Sequence, residues 1–249
     1  MKGNKAKVIS SVNLKGGVGK TTTIQNLGAA LFWEGKKVLF IDLDLQQNLS
    51  FVLRASGEYR SIYEVLTGEP ASEAIQSTLE GDLIRGDLRL TELQGIDSNA
   101  LKEALQPILA KYDYILIDTP PRIDNLIINA LIASDEVILP CNADIFSLQG
   151  ILTEGELIAD IKSKYNPELK INGVLITSYE SRGALNQQLR ENIERQAARI
   201  GAPVYKTPIR KNIAIRKAQA KQTSVFLYDP KSAGAEDYRE FVKEFRENE

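Results

Sequence analysis

The chain has 249 residues, 43% of them apolar and 26% charged, with a net charge of −2. That size and apolar share fit one α/β domain over residues 1–249 and exclude a disordered chain. One cysteine (Cys141) and no histidine exclude an intrachain disulfide, a cysteine-rich metal site, His-ligated zinc and histidine general-base catalysis. No apolar run approaches the ~20 residues that cross a bilayer, so no membrane partner is expected, and a lone cysteine suits a reducing cytoplasm.

Met1 to Ala6 reads as a short polar lead-in. Lys7 to Val12 is the first apolar run and predicts a strand. It leads into Lys15-Gly16-Gly17-Val18-Gly19-Lys20-Thr21-Thr22, and a helical pattern opens at Thr22. Strand, glycine loop and helix form the setting of a phosphate-binding loop. Glycines let backbone N–H groups turn toward phosphate oxygens, and the helix N-terminus adds its positive dipole end. In such a loop Lys20 reaches the β- and γ-phosphates and the Thr21 hydroxyl ligates Mg²⁺. Leu14 stands where the ordinary pattern has glycine, and a second lysine, Lys15, sits at the loop's mouth. A cation there neutralises polyphosphate charge, in its own site or in a partner's.

Lys37 to Asp42 predicts a second strand, ending Phe40-Ile41-Asp42-Leu43-Asp44. Carboxylates at i and i+2 point the same way, here at the strand edge where doubly wound folds bind ligands. One acid can support the Mg²⁺ shell while the other orients an attacking water. Residues 56–97 are the least periodic, apart from a short helix at Ile62–Leu66 stopped by Gly68. Tyr114 to Asp118 predicts a strand buried on both faces, with Asp118 emerging beside the metal. Further strands are expected at Glu136–Pro140, Ile171–Ile176, Val204–Thr207 and Ser224–Leu227. Their alternation with helical segments points to a doubly wound, mostly parallel sheet flanked by helices.

Between Arg182 and Lys221 the chain carries ten bases and two acids, so this stretch is +8 on an otherwise acidic protein. It includes a helix over Asn186 to Ile200 and suggests a polyanion partner. Candidate contacts are Arg182, Arg190, Arg195, Arg199, Lys211, Arg216, Lys217 and Lys221. Phosphate contacts of this kind are sequence-independent and salt-sensitive, and the near absence of interleaved aromatics disfavours single-strand stacking. The turn Asp229-Pro230 leads into a terminal amphipathic helix.

Four stretches resemble the ParA/MinD-type ATPases with a deviant Walker A loop. They are Lys15-Gly16-Gly17-x-x-Lys20-Thr21, the Asp42-x-Asp44 segment (with Leu45 and Gln47 in place of the family's proline and glycine), Asp118-Thr119-Pro120-Pro121, and Tyr228 to Tyr238. The resemblance covers nearly the whole chain, about residues 7 to 245, with these motifs in order. The resemblance implies a ParA-type partition ATPase using ATP and Mg²⁺, with Lys15 crossing a dimer interface to the partner's ATP. It implies that Lys15, Lys20 and Asp44 are catalytic, Asp44 positioning the water. Thr21, Asp42 and Asp118 would serve the metal, Asp118 through a water. Nucleotide contacts would come from Lys15 to Thr22, from Asp144 near the interface, and from Arg210 and Asn212 in the adenine-side loop. It further implies a homodimer that binds duplex DNA non-specifically, is nucleoid-associated in the cytoplasm, and is stimulated by a ParB-like partner. A MinD-like positioner is the nearest alternative, but the tail is acidic. An iron–sulfur reductase of the superfamily needs more cysteine than Cys141, and a small-molecule kinase or synthetase conflicts with the basic stretch.

Overall fold

A strand that is apolar on both faces is stable only inside a sheet covered on both sides. Five strands of this chain have that character: β1 (Lys7–Ser11), β2 (Val38–Asp42), β5 (Tyr114–Asp118), β6 (Glu136–Asn142) and β7 (Lys170–Thr177). In the computed structural model, which describes residues 5–93, 95–180 and 184–248, they pair in parallel, and β3 (Ile75–Thr78) and β4 (Gly81–Ile84) extend the sheet. The order is β3-β4-β2-β5-β1-β6-β7, with only β3 antiparallel to its neighbour. The chain leaves β1 toward β2 on one side and later fills β6 on the other. The C-terminal end of β1 is therefore the switch point at which such sheets bind ligands.

The helices are α1 (Lys20–Trp33), α2 (Asn48–Val52), α3 (Ile62–Leu66), α4 (Ala100–Leu105), α5 (Asn125–Ala133), α6 (Ile145–Lys164), α7 (Ala184–Arg199), α8 (Ile213–Ala220), α9 (Val225–Tyr228) and α10 (Ala233–Glu247). Alternate residues of β2 separate two layers. Val38 and Phe40 join a cluster with α1, α2 and α8 to α10, while Leu39 and Ile41 join one with α3, α4 and α5. The second face continues over β6 and β7 with α5, α6 and α7. On the first face, α1 approaches the sheet so closely that a Cβ on Gly28 would lie 2.2 Å from the Phe40 ring. Gly28→Ala is expected to cost about 1–3 kcal/mol of stability through overpacking. A lowered denaturant midpoint at constant slope would show it, and an unchanged midpoint would contradict it.

Three expectations need correction. Ser224–Leu227 is not a strand. The Ser224 side chain caps α9 by accepting from Leu227 N–H, and a four-residue apolar run carries no period to separate the two forms. Val204–Thr207 pairs with the sheet only at the Val174–Val204 bridge, where Val174 N–H donates to Pro203 O and Tyr205 N–H to Val174 O. Lys206 and Thr207 instead donate backbone N–H groups to Glu244, at 2.7 and 2.9 Å. The stretch 56–97, where one short helix is expected, also contains the β3–β4 pair at the sheet edge.

Candidate active site

Gly17 (φ 76°) and Gly19 (φ 92°) adopt the left-handed backbone that the turn from β1 into α1 demands, and Gly19 caps α1. A side chain elsewhere would be needed to hold such a loop, and several do. Thr177 at the end of β7 donates to the Val18 carbonyl at 2.7 Å. Asn13 donates to Pro140 O and accepts from Lys15 N–H, both at 2.8 Å. The loop forms one wall of a cleft of about 680 Å³, lined also by Thr21, Thr22, Asp44, Arg210, Asn212 and Arg216. That volume suits a nucleotide-sized ligand.

Lys20 is buried to 6% exposure, and its ammonium lies 3.4 Å from the Lys15 carbonyl. Burial lowers its pKa, opposed by the negative charges of Asp118, Asp44 and Glu154. Asp42 and Asp118 are register partners on adjacent parallel strands, both fully buried. Asp42 Oδ2 accepts from Ser50 N–H and Oγ–H at 2.8 and 2.6 Å, while Oδ1 accepts from Asp44 N–H at 3.1 Å. Burial pushes its carboxyl up to about 6, against those hydrogen bonds. Asp118 Oδ2 accepts from Thr21 Oγ1–H at 2.6 Å, and its Oδ1 is buried without a partner. Burial, together with the charge of Asp42, holds Asp118 well above the usual carboxylate range. Such a pair of suppressed acids beside a threonine hydroxyl fits a cation that would relieve them.

At the mouth, Lys15 Nζ pairs with Asp144 Oδ2 at 2.6 Å, and Phe146 lies 5.7 Å from the ammonium. Asp144 also caps α6 by accepting from Ser147 N–H at 2.9 Å. Burial opposes its charge, but Lys15 and Ser147 outweigh it and lower its pKa. On the opposite wall, Asp237 grips Arg210 through three guanidinium contacts of 2.6–2.9 Å, and Glu236 adds a fourth at 2.9 Å. Asn212 caps α8 through Ala214 N–H at 2.7 Å.

The basic stretch divides in space. Arg190, Arg195 and Arg199 ride on α7, which packs with α6, whereas Arg216 and Lys217 ride on α8, on the α1 side of the sheet. Arg190 bonds Glu194 and the Lys206 carbonyl, both at 3.0 Å, and Lys211 pairs with Glu180 at 2.8 Å. Lys221 ends α8, where Arg54 donates to its carbonyl at 2.9 Å. Arg182 lies outside the described residues. The linear charge density thus becomes two faces, and Arg216 lines the cleft itself.

Sequence reasoning passed over Ser50, Thr177, Gln219 and Glu154. Gln219 donates to Thr22 Oγ1 at 2.8 Å from 197 residues away, with no local signal. Glu154 had one: it falls on the Ile151, Ile158, Ile161 stripe of α6.

A glycine loop with two lysines, opening a helix at the switch point of a parallel sheet above two buried acids, defines the deviant phosphate-loop NTPase fold. A family model described as AAA domain matches residues 6–171. The chain is 36% identical over 260 residues to the chromosome partitioning protein ParA of Caulobacter vibrioides, covering 98% of this chain and 95% of that protein. It is 36% identical over 254 residues to the sporulation initiation inhibitor protein Soj of Bacillus subtilis, covering 97% and 99%. A solved structure of cobyrinic acid a,c-diamide synthase from Mycobacterium smegmatis, with bound ADP and magnesium, superposes with TM-score 0.81 at 32% identity over 96% of this chain and 93% of that one. This chain belongs to the AAA-domain family and, within it, to the ParA/Soj partition ATPases.

Proposed function

We propose that the chain is a partition ATPase, acting as one ATPase unit over residues 1–249, that couples ATP to reversible hold on duplex DNA. The observation that carries this is the loop itself: two lysines flank its glycines, one buried and one partly exposed at the mouth, where it pairs with Asp144. In this reading residues 15 to 22 wrap the phosphates, with Lys20 on the β- and γ-oxygens. Arg210 and Asn212 bound the base side, and Asp144 lies at the subunit boundary. Thr21 and Asp118, backed by Asp42, would hold Mg²⁺. Among the described residues no cluster of three or more His, Cys, Asp or Glu side chains is arranged to cage a metal. Phosphate oxygens and water would complete the shell, as Mg²⁺ prefers. The ion supplies charge neutralisation at the phosphates. Asp44 orients the attacking water.

Lys15 then reaches the partner subunit's ATP, and two chains close into a dimer that presents Arg182, Arg190, Arg195, Arg199, Lys211, Arg216, Lys217 and Lys221 to nucleoid DNA. Hydrolysis, stimulated by a ParB-like protein, releases it. The apolar face of α10 argues against that helix as a membrane anchor, since Tyr238, Phe241 and Phe245 are buried in the chain's own core. Among the described residues no helix is long and apolar enough to cross a membrane.

A DNA shift assay with ATP, ADP and no nucleotide tests the reading. Binding is expected with ATP alone, falling about 10³–10⁵-fold between roughly 50 and 200 mM salt if six to ten phosphates are neutralised. Nucleotide-independent or salt-insensitive binding would overturn it. The likeness to the Mycobacterium smegmatis synthase favours a second reading, ATP-dependent chemistry on a small acceptor. ATP binding with no DNA retention under any nucleotide would favour that one.

A further inference from the structure

Glu154 sits midway along α6 and is fully buried in the layer formed with α5 and α7. Its Oε1 accepts from Leu14 N–H at 3.1 Å, at the entry to the phosphate loop, and its Oε2 has no partner. An ionised carboxylate with a bare oxygen is costly in such a place, and a neutral carboxyl much less so. Nothing in the chemistry of the cleft requires an acid there.

We propose that Glu154 is a positioning residue of the phosphate loop that takes up a proton when a nucleoside polyphosphate binds, so that nucleotide affinity rises as pH falls. The charged and titratable groups facing it are few. Lys20, from α1, stabilises its anion, and Cys141, from β6, is a thiol that burial and the charges of Glu154 and Asp144 keep protonated. α5 and α7 contribute apolar side chains, Ile127, Leu131, Ile193 and Ala197, to the same layer. Burial pushes the Glu154 carboxyl up to about 7, with Leu14 N–H and Lys20 pulling against it. Its charge is therefore balanced near neutrality.

A polyphosphate on Lys20 offsets the cation that favours the Glu154 anion and adds negative charge at the loop. Both effects favour the neutral carboxyl. A proton from solvent then settles on Oε2, the bare oxygen, while Oε1 keeps its hydrogen bond from Leu14. The loop entry is held in both protonation states, and only the charge behind it changes.

The proposal rests on nucleotide binding at this loop and not on DNA. Calorimetry of Mg-ADP binding to the full chain, in buffers of different ionisation enthalpy near neutral pH, reads proton uptake directly. Buffer-dependent heats are expected, with affinity about 3–10-fold tighter at pH ~6.5 than at ~8.5. Glu154→Gln keeps the hydrogen bond to Leu14 and should bind Mg-ADP with the uptake abolished. Buffer-independent heats, or the same uptake in Glu154→Gln, would overturn the proposal. Binding without uptake indicts Glu154 alone, whereas no Mg-ADP binding defeats the nucleotide site as well. Should Glu154→Gln fail to fold, a ¹³C-carboxyl titration of the native chain decides the matter. The Glu154 midpoint is expected to move upward with Mg-ADP, and an unmoved midpoint refutes it.

Discussion

Asp44→Ala is expected to lower ATP turnover by roughly 100-fold or more while nucleotide affinity changes only a few-fold. The site has no histidine to activate water, and Asp44 is the acid on the cleft wall beyond the buried pair. Its Oδ1 accepts from Gln46 N–H at 3.1 Å, which fixes the carboxylate against the loop that follows β2. Removing it leaves the glycine loop and Thr21 in place, and Lys20 keeps the charges of Asp118 and Glu154, so ground-state binding survives and the step that needs an oriented water does not. Stability should change little, since the lost charge relieves Asp42 but also withdraws support from the buried Lys20 ammonium. After burial and opposed by its hydrogen bonds, Asp42 is also pushed up by the Asp44 charge, and that repulsion disappears in the variant. Steady-state kinetics with a thermal melt on the same preparation checks both halves. Turnover within about threefold of the parent would take Asp44 out of the mechanism.

Much of this site was readable because its signals are local. Glycines at 16, 17 and 19 lie between a strand and a helix within fifteen residues, and the left-handed backbone at 17 and 19 calls for glycine there. Asp42 and Asp118 were each visible as a strand-terminal acid, yet their pairing depends on β2 and β5 being neighbours, which strand order alone decides. Where the local signal was weak, tertiary context prevailed. Gln76, Ser77 and Thr78 make β3 a polar edge strand with little apolar alternation to detect. Ser224 turned a four-residue apolar run into a capped helix turn. The basic stretch was legible as charge but not as shape, because β7 and the extended segment after α7 separate its two helices. Thr177 and Gln219 reach the loop across 159 and 197 residues, distances over which no pattern in one sequence carries information.

Lys15→Ala should abolish ATP-dependent dimerisation while costing the monomer less than about 1 kcal/mol. In the single chain Lys15 is tied to Asp144, but the two side chains are 42% and 33% exposed, and exposed ion pairs stabilise little. The Phe146 ring adds a weak cation–π contact at 5.7 Å. A lysine held this lightly can exchange Asp144 for a second subunit's phosphates at small cost, which is what a crossing residue requires. The truncation has a side effect to separate from the main one. It leaves the Asp144 carboxylate unneutralised beside the phosphate site, where it repels nucleotide. Lys15→Ala/Asp144→Ala should therefore recover ATP affinity in the monomer without recovering the dimer. Light scattering with and without ATP, alongside nucleotide titrations of both variants, distinguishes the two effects. If the double variant dimerises with ATP like the parent, Lys15 acts only within its own subunit, and the two-lysine loop loses its reason to expect a second chain.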